Sequence, residues 1–289
     1  MPGRAAPSVR WAWTEKHAVL RKTEYCDCIV HLSQTSKYEA SLKGLFIIFL
    51  LHLCVQHARG DVNPVALAKM IQYFNENVQP KTKPDVQYAI AITVPQAQCT
   101  DEQSDIQTVF SKEEAAHVKD RLTNGETCVL CTNSQNVIAA RPIQKTKEHA
   151  EHVLLYPLGN SPMDKLLAKA DPNSCVVFYS YNSPCVTKCI QSKDNILAGL
   201  ANWKNIRKDA MNVFVFGKIW QKDEWRKDMA KDLLMIHDQV PLYRCDSSNG
   251  MQCQNCVEKN TDIVDSFCLP KRKSMRLYFQ KMLLSLLKG

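Results

Sequence analysis

The sequence predicts an α/β fold, a sheet covered by helices, on three observations. Strand-like and helix-like segments alternate through the middle of the chain, one strand-like run is apolar on both faces, and the regular pattern stops at a cysteine-rich C-terminal segment. Residues 64–77 open on Pro64 at a plausible first helical position and space Val65, Ala68, Ile71 and Phe74 three apart, an amphipathic helix. Val86 to Val94 is rich in β-formers and is ended by Pro95, a first strand. Residues 99–125 are polar and ambiguous, closing on the turn signal Asn124-Gly125. Residues 126–131 and 136–140 read as strands, with a hairpin around Asn133. A helix is expected from about Lys147 to Tyr156, and a shorter one follows Ser161-Pro162. Cys175 to Tyr181 is the largely apolar run, the pattern of a strand buried on both faces. Cys185 to Trp203 is helical in pattern, Val213 to Trp220 a strand, Glu224 to His237 a helix with Met229, Leu233 and Ile236 on one side, and Val240 to Tyr243 a short last strand.

The 289 residues are 45% apolar with only 9 Gly, which excludes collagen-like and low-complexity chains and leaves room for one or two globular domains. The net charge of +8 is unevenly spread. Before residue 61 there are 8 basic and 4 acidic residues, and after residue 270 there are 6 basic and no acidic ones. The stretch between holds 23 basic against 25 acidic, a net of −2. The centre of the chain is therefore not a basic surface that coats nucleic acid, and affinity for a polyanion must come from a local groove or from the tail.

Leu45 to Val55 is apolar except for His52, follows Lys43 and precedes Ala58-Arg59-Gly60. It is too short to span a bilayer, which takes about 20 residues, and has the anatomy of a signal-peptide core with a small-x-small cleavage site. Residues 1–60 then form an N-terminal extension and signal peptide, with the signal around 43–60, although some 40 residues upstream is long for such a leader. Residues 61–244 form the principal domain, and 245–289 a Cys-rich extension ending in a basic amphipathic tail. The tail, Lys271 to Gly289, sets Met275, Tyr278, Phe279, Met282, Leu283, Leu286 and Leu287 among its basic residues, suited to pack on the domain, touch anionic lipid or grip polyanions.

Ten of the 13 cysteines follow residue 60. The sharpest chemistry lies in His149-Ala150-Glu151, then Ser183-Pro184-Cys185, then Cys189. An imidazole and two thiolates make a three-ligand set that leaves the fourth tetrahedral position of Zn2+ open for water, the pattern of a catalytic rather than a structural site. Zinc lowers the pKa of that water toward neutrality. Glu151, two residues past the histidine, is badly placed to share the ion and well placed to move protons between water and a leaving amine. The expected helices put His149 and Glu151 in one first turn and Cys185 and Cys189 in another, four apart on one face, where the helix N-terminus favours thiolates. In an oxidising compartment Cys185 and Cys189 could instead pair; either way eight other cysteines remain, an even number consistent with four disulfides. Cys245, Cys253, Cys256 and Cys268 suit disulfides better than a second zinc site outside the cell. Cys128 and Cys131, on an expected strand where i and i+3 face opposite ways, should bond elsewhere.

These residues resemble the zinc-dependent cytidine deaminase superfamily, with its H-x-E and P-C-x(n)-C signature. The closer resemblance is to the AID/APOBEC-like polynucleotide deaminases, whose Ser-Trp-Ser-Pro-Cys segment is similar to Tyr181-Asn182-Ser183-Pro184-Cys185, and whose fourth strand and specificity loop are similar to Val213–Asp223. The signal-like segment and many cysteines are most similar to the secreted AID/APOBEC-like deaminases of fishes. The resemblance covers about residues 86–243. It departs from the pattern in 32 residues between Glu151 and Pro184, which implies an insertion around Pro157–Pro162, in three residues between the cysteines, and in Asn182 where the family has Trp.

The resemblance implies a cytidine-deaminase-like fold with a central mixed sheet of about five strands sandwiched by helices. It implies zinc on His149, Cys185 and Cys189, with Glu151 as the catalytic proton carrier. The implied reaction is hydrolytic deamination of cytosine to uracil in single-stranded polynucleotide. Trp220 is similar to the specificity-loop aromatic that stacks on a flanking base, Asn136 and Arg141 fall near the family's sugar and base contacts, and Tyr181 and Ser183 flank the metal loop. Two rivals stand beside this reading: a deaminase of free cytidine or its nucleotides, which the near-neutral centre of the chain favours, and a secreted, zinc-stabilised binding protein without turnover, which the intact Glu151 disfavours.

Overall fold

The computed structural model describes residues 61–81 and 86–271. The N-terminal extension, the signal-like segment and the amphipathic tail beyond Lys271 lie outside the described residues. The chain opens with α1 (Pro64–Asn77), where Asn63 caps the helix by accepting the Val65 and Ala66 N–H groups. The first strand, β1 (Ala89–Pro95), is followed by the single turn α2 (Ala97–Thr100) and by α3 (Lys112–Thr123). Then come β2 (Cys128–Val129), β3 (Val137–Ala140), α4 (Ala150–Leu155), α5 (Pro162–Leu167) and β4 (Ser174–Asn182). A five-residue π-helical turn, Val186–Ile190, leads to α6 (Leu197–Ile206) and β5 (Met211–Lys218), and the chain finishes with α7 (Met229–His237), β6 (Leu242–Asp246) and β7 (Gln252–Asn255).

The strands form one mixed sheet in the order β2-β3-β1-β4-β5-β6-β7. β4, β5 and β6 run parallel, and the remaining pairs are antiparallel. Alternation along the strands divides the core in two. Ile90, Ile92, Val177, Tyr179 and Val215 join α1 and α3 on one face. Ala89, Ala91, Val176, Phe178, Phe214 and Phe216 join α4, α5, α6 and α7 on the other. The apolar run of β4 is thus buried on both faces, as its composition predicts. The sheet is mixed and flanked by helices as expected, but has seven strands rather than about five. β7 comes from the segment read as a Cys-rich extension and pairs with β6 at the sheet edge.

Local chemistry accounts for three more differences. The ambiguous stretch before Asn124 contains α3, started by a capping box in which Ser111 Oγ accepts the Glu114 N–H and Glu114 Oε2 accepts the Ser111 N–H, each at 3.2 Å. The continuous helix expected from Cys185 to Trp203 is two elements, because Asn195 Oδ1 accepts the Leu197 N–H at 2.9 Å and starts α6 afresh. Cys128 and Cys131 bond to each other, against the strand-based expectation: Leu130 turns into the left-handed region at φ 52, so the chain reverses and the two sulfurs meet.

The other disulfides are Cys99–Cys175, Cys245–Cys253 and Cys256–Cys268. The second zinc site weighed for the last four cysteines is therefore replaced by two disulfides. Cys185 and Cys189 are the free thiols among the described cysteines. α6 packs closely against α4, which carries the candidate site: a Cβ on Gly199 would sit 2.7 Å from Leu155 Cβ, a clash that glycine avoids.

Candidate active site

The site forms where the C-terminal end of β4 meets the N-terminus of α4. His149 is the N-cap of α4 rather than part of its first turn, and Glu151 lies in that turn. Cys185 precedes the π-helical turn, and Cys189 lies within it. The turn closes through Cys189 N–H to Cys185 O at 2.8 Å and Gln191 N–H to Val186 O at 2.9 Å. His149 Nδ1, Cys185 Sγ and Cys189 Sγ converge to within 4.8 Å of one another, a group able to hold a metal ion. Nδ1 lies 3.0 Å from Cys189 Sγ and 3.6 Å from Cys185 Sγ, and the sulfurs are 3.7 Å apart. That separation excludes a disulfide between them and matches the edge of about 3.8 Å that a tetrahedral ion with bonds of about 2.3 Å to two thiolates requires.

The three donors are coupled to one another. Hydrogen bonding with Cys189 pulls the Cys185 thiol down to about 4, and the same contact holds the Cys189 thiol far above its ordinary value. Hydrogen bonding to Cys185 raises His149.

Glu151 is 2% exposed, and burial raises its pKa. Its Oε1 is held: Ser180 Oγ donates to it at 2.6 Å and Gln87 Nε2 at 3.1 Å. Gln87 Nε2 also reaches Ser180 Oγ at 2.9 Å, while Gln87 Oε1 accepts the Asn182 N–H at 2.9 Å. Glu151 Oε2 has no hydrogen-bond partner among the described residues. The carboxylate is therefore fixed by one oxygen, and the other is left without a partner among the described residues. Neither Gln87 nor Ser180 is marked by a motif; each meets Glu151 only because β1 pairs with β4, with Ala89 opposite Ser180.

A cavity of about 430 Å³ opens over this centre, lined by Gln87, His149, Glu151, Ser183, Cys185 and Trp220 among others. Its size suits a small planar ligand. Ser183 is 2% exposed, and its Oγ accepts the Trp220 N–H at 2.9 Å, so it ties the loop before Cys185 to the loop after β5.

The structure does not bring the other expected contacts to this cavity. Asn136 Nδ2 donates to Thr93 O at 3.3 Å and Val109 O at 3.2 Å, bracing the start of β3. Arg141 Nη1 donates to Leu122 O at 3.1 Å and Thr123 O at 3.4 Å, at the end of α3. Tyr181 points to the opposite face of the sheet, where its ring stacks on Tyr88 with centroids 6.0 Å apart and Lys218 Nζ lies 5.2 Å from its centroid. Strand alternation is the reason: Ser180 faces Glu151, so Tyr181 faces away.

A family model described as Secreted Novel AID/APOBEC-like Deaminase 1 matches residues 64–272. No curated protein matches the chain.

Proposed function

This chain belongs to the Secreted Novel AID/APOBEC-like Deaminase 1 family, and from that premise we propose that it is a secreted, zinc-dependent hydrolytic deaminase that converts cytosine to uracil in single-stranded polynucleotide. The observation that supports this reading best is the juxtaposition of a buried Glu151, one oxygen anchored and the other without a partner, with the His149, Cys185 and Cys189 donors in one open cavity. Those three side chains would hold the ion. Bound zinc would lower the pKa of a water molecule and present it to the base as the nucleophile.

The remaining work falls to the chain's own groups. Glu151 Oε2 takes a proton from the attacking water and delivers it to the ring nitrogen N3, then takes the proton of the new C4 hydroxyl and delivers it to the departing amine as the C4 carbonyl forms. A C4–O bond forms, the C4–N4 bond breaks, and ammonia leaves. Ser180 and Gln87 hold Oε1 so that the carboxylate does not rotate. Trp220, which lines the cavity, offers a face on which a neighbouring base can stack.

The secretory part of the reading is supported by four disulfides, which persist in oxidising compartments, and by the signal-like segment at 43–60. The basic tail is the proposed element for phosphate or anionic-lipid contact. A second reading, deamination of free cytidine or its nucleotides, is favoured by one observation: residues 61–270 carry a net charge of −2. The deciding experiment uses oxidatively folded, zinc-loaded chain with cytidine and with a cytosine-bearing oligonucleotide, beside Glu151→Ala. The proposal expects turnover of the oligonucleotide, steep loss of binding with added salt, and none of this turnover in the variant. Turnover of cytidine alone selects the second reading. Zinc binding with no turnover of either substrate selects a binding protein.

A further inference from the structure

The turn between the two thiols is gripped at both ends by carboxylates taken out of water. At its start, Asp223 Oδ2 accepts the Val186 N–H at 3.0 Å. At its end, Asp232 Oδ1 accepts from Gln191 Nε2 at 2.9 Å, and Gln191 is the residue whose own N–H closes the turn onto Val186 O. Asp223 is 3% exposed and Asp232 1%. Asp232 Oδ2 has no hydrogen-bond partner among the described residues.

Two buried carboxylates beside two cysteines form an uncomfortable group. Asp232 and Cys185 both act on Asp223 as like charges, and Arg226 opposes them. Burying such charges costs free energy unless hydrogen bonds or a cation offset it. That cost falls at the two ends of the turn that separates the sulfurs, which lie 3.7 Å apart. Resting on the zinc-site reading above, we propose that Asp223 and Asp232 are positioning residues for the Cys185 and Cys189 ligand pair, clamping the turn so that the thiolates are preset at the spacing of a tetrahedral ion and the ion is retained.

The two clamps differ in reach. Asp223 also belongs to the loop that walls the cavity: its N–H donates to Trp220 O at 2.8 Å, and the Trp220 N–H is held by Ser183. Asp232 lies on α7 and makes no such link through its hydrogen bond to Gln191. Loss of Asp223 should therefore loosen both the ligand pair and the Trp220 wall, whereas loss of Asp232 should loosen the ligand pair alone.

The test is zinc release from the full, oxidatively folded, zinc-loaded chain into excess chromophoric chelator. Asp223→Ala and Asp232→Ala are expected to release zinc about 10 to 100 times faster than wild type, the usual effect of losing a group that orients a metal ligand. Asp223→Asn and Asp232→Asn keep an acceptor oxygen and are expected to stay near the wild-type rate. Gln191→Ala, which keeps the backbone closure of the turn and removes only the side-chain link to Asp232, should also speed release. In substrate titrations Asp223→Ala raises KM and Asp232→Ala leaves it unchanged. Alanine variants that hold zinc as long as wild type overturn the clamp, as do asparagine variants that release it as fast as the alanines. A wild-type chain that takes up no zinc overturns the site reading and the clamp with it, and is told apart from failure of the clamp alone because there the wild type still binds.

Discussion

Ser180 Oγ lies 2.6 Å from Glu151 Oε1, and the hydroxyl sits between that carboxylate and Gln87 Nε2 at 2.9 Å, so a strand residue and a residue ahead of β1 together set the orientation of the proposed proton carrier. A hydrogen bond to a charged group contributes about 1.5–3 kcal/mol. Ser180→Ala should therefore lower kcat by about tenfold or more while leaving KM and zinc content near wild type, since the hydroxyl bonds none of His149, Cys185 and Cys189 and does not itself line the cavity. Glu151→Gln should lower kcat by about 10²- to 10⁴-fold with zinc retained. A Ser180→Ala enzyme with unchanged kcat and raised KM would place the hydroxyl on the substrate instead.

Trp220 and Asn136 should separate cleanly. Trp220 lines the cavity, and stacking on a base contributes about 1–3 kcal/mol, so Trp220→Ala should weaken oligonucleotide binding by roughly 10- to 100-fold with little change in melting temperature. Asn136 spends its amide on two backbone carbonyls, so Asn136→Ala should cost about 1–3 kcal/mol of stability and leave oligonucleotide affinity at the wild-type value. Fluorescence anisotropy and urea denaturation on both variants provide the comparison.

The contrast between those residues marks what could be read from one-dimensional pattern. His149, Glu151, Cys185 and Cys189 were legible because the members of each pair lie within four residues of each other in sequence, and the chemistry of zinc restricts the residue types allowed there. Strands β1, β4 and β5 were legible because uninterrupted apolar runs have few other uses, whereas the polar β7 carries no such run. Gln87 and Ser180 were not, since they are 93 residues apart and meet only through strand register. Tyr181 was misplaced although alternation along β4 separates it from Ser180. The Ser111–Glu114 capping box was present in the sequence as a start signal for α3, and only the polarity of the surrounding residues concealed it. The two buried aspartates carry no signal at all, because a lone Asp in a polar loop or on a helix reads as surface.

The disulfides should contribute very unequally. Cys99–Cys175 spans 76 residues and Cys128–Cys131 only 3. Chain-entropy arithmetic gives about 4.5 kcal/mol for the first and about 1.6 for the second. The smaller figure is offset further because Leu130 is held at φ 52, which costs a non-glycine residue about 1–2 kcal/mol. The Cys99→Ser/Cys175→Ser chain should accordingly lose much of its stability to urea, and the Cys128→Ser/Cys131→Ser chain almost none. Equal losses would show that the short bridge stabilises the edge strand by contacts rather than by chain entropy.

His237 should make the fold sensitive to mild acid. It ends α7, is partly buried, and its Nδ1 accepts the Leu242 N–H at 3.3 Å, joining the helix to the start of β6. That bond requires the unprotonated nitrogen. Burial lowers its pKa below the ordinary 6.5, with Asp238 pulling the other way. As pH falls through 6.5 the unfolded chain takes up a proton that the folded chain still refuses, so the unfolded state gains and stability declines; the decline levels off once the folded-state pKa is passed. Ordinary exposed carboxylates protonate mostly below about pH 5, and groups that His237→Gln leaves in place, buried Glu151 among them, titrate alike in both proteins and cancel in the comparison. His237→Gln removes the titrating group while keeping an amide oxygen able to accept, so its unfolding free energy should fall less steeply than that of wild type between pH 7 and pH 5. Urea titrations of both proteins at pH 7, 6 and 5 measure the two slopes, and identical slopes would assign the acid sensitivity to other groups.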